Sequence, residues 1–258
     1  MNRHLKLSAL ACAALLSACG KDAVKEITGP VPGSQIKFFN FAVNAPGVNF
    51  YANTTKMTAI STTSGTESSL GTNYGSAGAG GLYTAITPGQ YDIAAKTPAA
   101  GDTGAAVSHV ATALESGKYY SYYQSGLYNS TSKTADAFVI EDDIPTRVDY
   151  AIADVRFVNA ISNATGPIVL YVTNTDTSAH MPETAIGTGV GYKSASAFVA
   201  LPEGAYNLSA RYAGSSTSIV TRNGLGFSGG RAYTITIRGD ATSSATATKP
   251  ALDNTFNR

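Results

Sequence analysis

Apolar and polar residues alternate with period two in several short stretches of this chain, and the stretches come in pairs. Ile36 and Phe38 share one face with Lys37 opposite, and Val155 and Phe157 do the same against Arg156. Tyr206, Leu208 and Ala210 alternate with Asn207, Ser209 and Arg211, and Tyr233, Ile235 and Ile237 alternate with Thr234, Thr236 and Arg238. Successive side chains of a strand point to opposite sides, so this period predicts strands with one buried face. Pro88-Gly89 and Glu203-Gly204 fall where a turn must feed a strand, and glycine tolerates the positive φ such turns require. No segment beyond the N-terminal one carries a helical period.

The pairing is systematic. Ile36-Lys37-Phe38-Phe39-Asn40 matches Val155-Arg156-Phe157-Val158-Asn159 position for position, and each is followed by a turn-like stretch, Asn44-Ala45-Pro46-Gly47 and Asn163-Ala164-Thr165-Gly166-Pro167. Val48-Asn49-Phe50-Tyr51 then answers Ile168-Val169-Leu170-Tyr171, the segment from Tyr83 to Ile93 answers Phe198 to Leu208, and Gly117-Lys118-Tyr119-Tyr120-Ser121-Tyr122 answers Gly230-Arg231-Ala232-Tyr233-Thr234-Ile235. The order is kept while the offset stays between 113 and 120. This is the pattern of a tandem duplication. The expected architecture is all-β: two tandem antiparallel β-sandwich domains, immunoglobulin-like or transthyretin-like, at 36–143 and 155–254, with a linker at 144–154 and a tail at 255–258. Lys249 to Asn254 faintly echoes 136–143, which makes it the closing strand of the second copy.

The N-terminus follows different rules. Arg3, His4 and Lys6 precede an apolar run from Leu7 to Ala18. That run is shorter than the roughly 20 residues a membrane-spanning helix needs, and it reads as an export signal. Leu16-Ser17-Ala18-Cys19 is similar to the lipobox of bacterial lipoproteins. The resemblance implies cleavage after Ala18, acylation of Cys19 with palmitate-type chains, and a membrane anchor. Residues 1–18 are then a signal peptide and 19–35 a lipidated tether, whose Gly29-Pro30-Val31-Pro32-Gly33 keeps it extended. An ordinary secreted protein cut at the same place is the alternative. Gly20, rather than Asp, after the cysteine favours the outer membrane over the inner one, by resemblance to enterobacterial sorting.

Composition narrows the classes. Removing 1–18 takes away Arg3 and Lys6 and no acidic residue, so net charge falls from +1 to −1. That excludes the basic footprint of a nucleic-acid binder. The two cysteines are Cys12, in the segment to be removed, and Cys19, consumed by the lipid. Neither a disulfide framework nor a zinc cluster is then expected.

Val155-Arg156-Phe157-Val158-Asn159-Ala160, a following turn, Val169-Leu170-Tyr171, Leu201-Pro202-Glu203-Gly204-Ala205-Tyr206-Asn207-Leu208 and Gly230-Arg231-Ala232-Tyr233-Thr234 together resemble domain-of-unknown-function family 4397. Its members occur, often as tandem repeats, on bacterial envelope lipoproteins. The first copy departs from the family pattern: Phe39 and Phe41 replace smaller residues, Thr87-Pro88-Gly89 replaces Pro-x-Gly, and the loops at 54–80 and 97–107 are long. The family has no established catalytic residue, so the resemblance implies none here.

Candidate chemistry is sparse. Gly226-Phe227-Ser228-Gly229-Gly230 satisfies G-x-S-x-G, and Gly224, Gly226 and Gly229 satisfy G-x-G-x-x-G. Each motif needs a helix after it, whereas a strand from Arg231 to Ile237 follows. The copy-one equivalent of Ser228 is Glu115, and the segment reads as a turn. His109 and His180 lie in different copies with no convergent ligands, so no metal or cofactor is expected. Glu141-Asp142-Asp143 offers oxygens for calcium, but no spaced ligand loop surrounds it, and it reads as a solvated linker. Tyr119-Tyr120-Ser121-Tyr122-Tyr123 is the most unusual run. Tyr120 and Tyr122 should face the core. Tyr119 and Tyr123 should face out, either as a platform that stacks on sugars or a protein partner, or covered by a neighbouring loop or the other domain. The expected role is that of a lipid-anchored, non-enzymatic envelope protein with a binding or structural task, its partners being the membrane through Cys19 and an envelope protein or glycan. An envelope hydrolase with an unrecognised polar site, or a glycan-binding accessory protein, is the alternative.

Overall fold

The computed structural model describes residues 33–58, 70–98, 104–176 and 181–258. Eighteen strands run through them, nine in each half. The first sandwich consists of β1 (Ser34–Asn40), β2 (Asn49–Ala52), β3 (Thr55–Lys56), β4 (Ser76–Ala77), β5 (Thr84–Ile86), β6 (Gly89–Lys96), β7 (Ala106–Leu114), β8 (Tyr119–Asn129) and β9 (Thr134–Glu141). The second consists of β10 (Ile152–Asn159), β11 (Ile168–Asn174), β12 (Thr184–Val190), β13 (Ser194–Ala195), β14 (Val199–Pro202), β15 (Gly204–Tyr212), β16 (Ser218–Phe227), β17 (Ala232–Arg238) and β18 (Ala251–Phe256).

One sheet of the first sandwich has the order β4-β1-β8-β9, with β5 also on β1, and its other sheet has the order β3-β2-β6-β7. The second sandwich repeats this nine strands later: β13-β10-β17-β18 with β14 on β10, and β12-β11-β15-β16. Each strand therefore has a counterpart, β1 with β10 through β9 with β18. The strand at Ala251–Phe256 closes the second copy on β17 as β9 closes the first on β8. Two ladders run parallel, β1 with β8 and β10 with β17; the others are antiparallel. Each parallel pair is joined through the opposite sheet, and such a crossover is what lets two strands of one sheet point the same way.

The repeated residues have local work. Tyr91 Oη donates to the carbonyl of Thr87 (2.7 Å), and its counterpart Tyr206 Oη to that of Pro202 (2.8 Å), so each tyrosine closes the turn that launches its own strand. Tyr120 Oη accepts from the amide of Glu115, and Tyr233 Oη from that of Ser228, both at 3.1 Å. Asn40 Nδ2 donates to the carbonyls of Pro46 and Thr72, and Asn159 Nδ2 to that of Val190. These bonds satisfy buried carbonyls where the first strand of each copy leaves its sheet.

Each sandwich closes its own core. Ile36, Phe38, Phe50, Ile93, Val107, Leu114, Tyr120 and Tyr122 fill the first, and Val155, Phe157, Leu170, Leu208, Phe227, Tyr233, Ile235 and Ile237 the second. A third apolar cluster lies between the sandwiches. Phe39, Phe41, Tyr123 and Phe138 of the first pack against Val158 and Ala160 of the second, so the two sheets that carry β1 and β10 lie face to face. All seven residues of β1 are buried as a result. A strand is buried throughout only when both its faces are covered.

Candidate functional site

Among the described residues, three of the four buried charged side chains, Lys37, Asp142 and Arg156, gather at the junction of the sandwiches. Lys37 on β1 and Arg156 on β10 are counterparts that point away from their own cores, and they are 1% and 2% exposed. Each reaches the other sandwich. Lys37 Nζ donates to the carbonyl of Phe256, the last residue of β18, and lies 4.1 Å from the centre of the Tyr83 ring. Arg156 Nη1 donates to the carbonyl of Glu141, the last residue of β9 (3.0 Å), and its guanidinium lies 5.1 Å from the centre of the Phe198 ring. Glu141 and Phe256 are counterparts, as are Tyr83 and Phe198. The junction thus obeys a local pseudo-two-fold relation, an isologous interface within one chain.

The residues that follow those carbonyls complete the cluster. Asp142 pairs with Arg156 Nη2 through one carboxylate oxygen, and through the other it accepts from Tyr83 Oη (2.6 Å) and Ser121 Oγ (2.7 Å). Its counterpart Asn257 accepts from Thr234 Oγ1 (2.8 Å) and donates to Tyr83 Oη (2.9 Å), while Thr234 accepts from Arg156 Nε (2.9 Å). A buried charge is tolerable when it is paired and hydrogen-bonded, and here one carboxylate serves two cations. Burial pulls the Lys37 ammonium down to about 8; Asp142 opposes that shift and Arg156 adds to it. Burial alone would lower Arg156 too, but Asp142 carries it above the ordinary arginine value. Burial and the Asp142 carboxylate push the Tyr83 phenol well above the usual tyrosine range. Lys37, Asp142 and Arg156 are sealed from solvent, and together they work as an electrostatic clamp between two sheets.

The structure redistributes the residues singled out from sequence. Tyr120 and Tyr122 face the first core, as expected. The expectation that Tyr123 faces solvent is corrected: it is fully buried, stacked on Phe39 (4.8 Å) and Phe138 (4.9 Å), because the second sandwich covers that face. Tyr119 is half-buried, edge-on to Tyr83 at 4.9 Å, and lines a small cavity with Ile144, Pro145, Asn257 and Arg258. The pair therefore forms no open platform. Asp142 is likewise no part of a solvated linker; the linker is pinned on both sides, with Arg258 donating to the carbonyls of Pro145 and Arg147, and Arg147 paired with Asp154. His109 is exposed and lies 3.1 Å from Asp92. Cys19 and His180 lie outside the described residues.

Ser228 sits in a turn followed by β17, a strand where a nucleophile elbow has a helix. Gly229 is required there by close packing: a Cβ on it would lie 1.7 Å from the carbonyl oxygen of Tyr150 in the linker. Among the described residues no group of three histidines, cysteines or carboxylates could hold a metal ion, and no helix is long and apolar enough to cross a membrane.

Sequence reasoning missed the clamp, and the signal was present. Phe39 on β1 and Phe41 just past its end put aromatic rings on the side opposite Ile36 and Phe38, and Tyr123 does the same on β8. A strand that is apolar on both faces has to be covered on both. No protein-family model matches the chain, and no curated protein matches it.

Proposed function

We propose that this chain is a lipid-anchored cell-envelope protein whose two β-sandwiches serve a non-enzymatic binding or structural role. The observation that carries the reading is Leu16-Ser17-Ala18-Cys19 at the close of a short apolar run behind Arg3, His4 and Lys6. Acyl chains on Cys19 contribute about 0.8 kcal/mol per buried methylene, and two or more chains hold a protein stably at a bilayer. The outer membrane is the proposed location, on Gly20 after the cysteine. The resemblance of both halves to domain-of-unknown-function family 4397 belongs to the same proposal and points to the same compartment. A non-enzymatic role fits the use to which the most distinctive polar residues are put: Lys37, Asp142 and Arg156 hold sheet to sheet.

The test is Cys19→Ser in the full-length chain, with fractionation and radiolabelled palmitate as readouts. The wild type is expected to take up label and pellet with outer membranes after a high-salt wash, and the variant to do neither. A variant that still pellets, or a wild type without label, would refute the anchor. Mature protein found solely in inner membranes would refute the proposed location.

A further inference from the structure

Both sandwiches start from one end of the molecule, and the tether enters there. β1 runs parallel to β8 and β10 to β17. Tyr119, which opens β8, shares a cavity with Asn257 and Arg258, which follow β18 opposite the start of β17. Gly33, where the tether meets β1, is fixed at this end: its carbonyl accepts from the amide of Gly117 (2.7 Å), between β7 and β8. The linker crosses the same end. The amide of Gly230 donates to the carbonyl of Asp149 (2.8 Å), and a Cβ on Gly230 would lie 3.2 Å from the Tyr150 ring and 3.5 Å from Val148 Cγ1. The next residue, exposed Arg231, holds its guanidinium 4.8 Å from the centre of the Phe256 ring. Val148, Tyr150 and Phe256 are 56%, 79% and 43% exposed, and they are three of the six large hydrophobic side chains exposed among the described residues. Apolar residues scattered singly over a surface need no explanation, but these three adjoin across Gly230 and Arg231.

We infer that this end is a membrane-docking surface: Val148, Tyr150 and Phe256 enter the interfacial layer of the bilayer that holds the anchor, so that the protein stands end-on upon its membrane. The inference rests on the proposed lipid anchor at Cys19 and says how the anchored protein meets its membrane. Fourteen peptide units join Cys19 to Gly33, a reach of about 50 Å at full stretch. The tether therefore delivers this end to the lipid surface at high effective concentration, and a contact too weak to hold a free protein is enough. The side chains suit that layer. A tyrosine offers an apolar body and a polar tip, which is why tyrosine collects at the boundary between lipid and water. Arg231 can keep its guanidinium among the lipid phosphates while its stem and the Phe256 ring lie deeper. The other cations at this end are engaged within the protein: Lys118 pairs with Glu115 and Glu141, and Arg147 and Arg258 with Asp154. The contact is therefore chiefly apolar and does not require anionic lipid.

The chain holds no tryptophan, so a single Tyr150→Trp reports from the patch alone. For the test, the chain from Cys19 onward is coupled through its one thiol to maleimide-bearing headgroups in vesicles of phosphatidylethanolamine and phosphatidylglycerol. This supplies the tether whether or not cells acylate it. Brominated acyl chains in the same vesicles quench only an indole that reaches them. Tyr150→Trp and Phe256→Trp are expected to show blue-shifted, strongly quenched emission. Leu127→Trp, an exposed position toward the far end of β8, should show neither change. Adding Val148→Ser and Tyr150→Ser should release the Phe256→Trp reporter from most of its quenching. An unquenched Tyr150→Trp, equal quenching of Leu127→Trp, or Phe256→Trp quenching untouched by the two serines would overturn the docking. A blue shift that grows with protein density but ignores bromine would overturn it in favour of contact between copies. Fractionation of Cys19→Ser judges the anchor separately. A protein acylated in cells but unquenched on vesicles refutes the docking alone, and one quenched on vesicles but not acylated refutes the anchor alone.

Discussion

Lys37 and Asp142 set the energetics of the junction residue by residue. Burial depresses the Lys37 pKa from 10.5 in the unfolded chain to about 8 in the fold. The unfolded chain therefore binds more protons than the folded one between those values. The buried charge on Lys37 therefore costs the fold roughly 3 kcal/mol below pH 8, a cost that fades as pH rises through the window and is gone above 10.5. Urea denaturation at pH 7, 8, 9 and 10 should show the wild type gaining on Lys37→Met as pH rises, and parallel profiles for the two would contradict the assignment. The same cluster ranks two other variants. Asp142→Asn strands Lys37 and Arg156 as buried cations sharing no carboxylate, whereas Arg156→Met leaves Asp142 beside Lys37. Breaking a buried pair typically costs about 3–5 kcal/mol. Asp142→Asn should sit at the top of that range and Arg156→Met below it, and the reverse order in chemical denaturation would show that Lys37 does not share the carboxylate.

At the scale of elements, β8 carries the contrast between what period two reveals and what it hides. Alternation assigned Tyr120 and Tyr122 to one face and Tyr119 and Tyr123 to the other, and the structure keeps that division. What covers the second face is a tertiary fact. Alternation reports which side chains share a face; it does not report whether another sheet lies over them. The duplicated order of strands was legible for the same reason, because turn residues and buried tyrosines such as Tyr91 and Tyr206 recur at matched positions. The clamp was not, because Lys37 and Arg156 read as ordinary solvent-side residues until the opposite sheet is in place, and Asp142 read as linker. Tyr123 provides the test. Removing a fully buried aromatic ring costs about 3–5 kcal/mol, so Tyr123→Ala should destabilise the protein about as much as Tyr120→Ala, while half-buried Tyr119→Ala should cost clearly less. Thermal melts in which Tyr123→Ala behaves like a surface substitution would mean that the sandwiches do not stack in solution.

For the whole molecule, the two halves share a fold but not a surface. Across the pseudo-two-fold, Phe39 faces the role of Val158, Phe41 that of Ala160, Tyr123 that of Thr236 and Phe138 that of Asp253. Bulky rings on one side meet small or polar side chains on the other, so the interface is complementary although its plan is symmetric. Each sandwich has its own core, which should let residues 147–258 fold alone as an all-β unit. Its free face, with Val158, Ala160 and Thr236, is modest in apolar area. Pairing it with itself would bring two Arg156 side chains together with Asn257 where Asp142 should be. A monomer is therefore expected for 147–258 by sedimentation, with a β-type circular dichroism spectrum. The first sandwich alone would expose Phe39, Phe41, Tyr123 and Phe138 on one flat sheet face, a patch of the kind that drives association, and residues 33–143 should aggregate or self-associate. Adding 147–258 in excess should restore solubility by covering that face. A soluble monomeric first sandwich, or a second sandwich that dimerises, would show that the junction in the intact chain rests on the linker alone and not on the fit of aromatic rings into small-residue hollows.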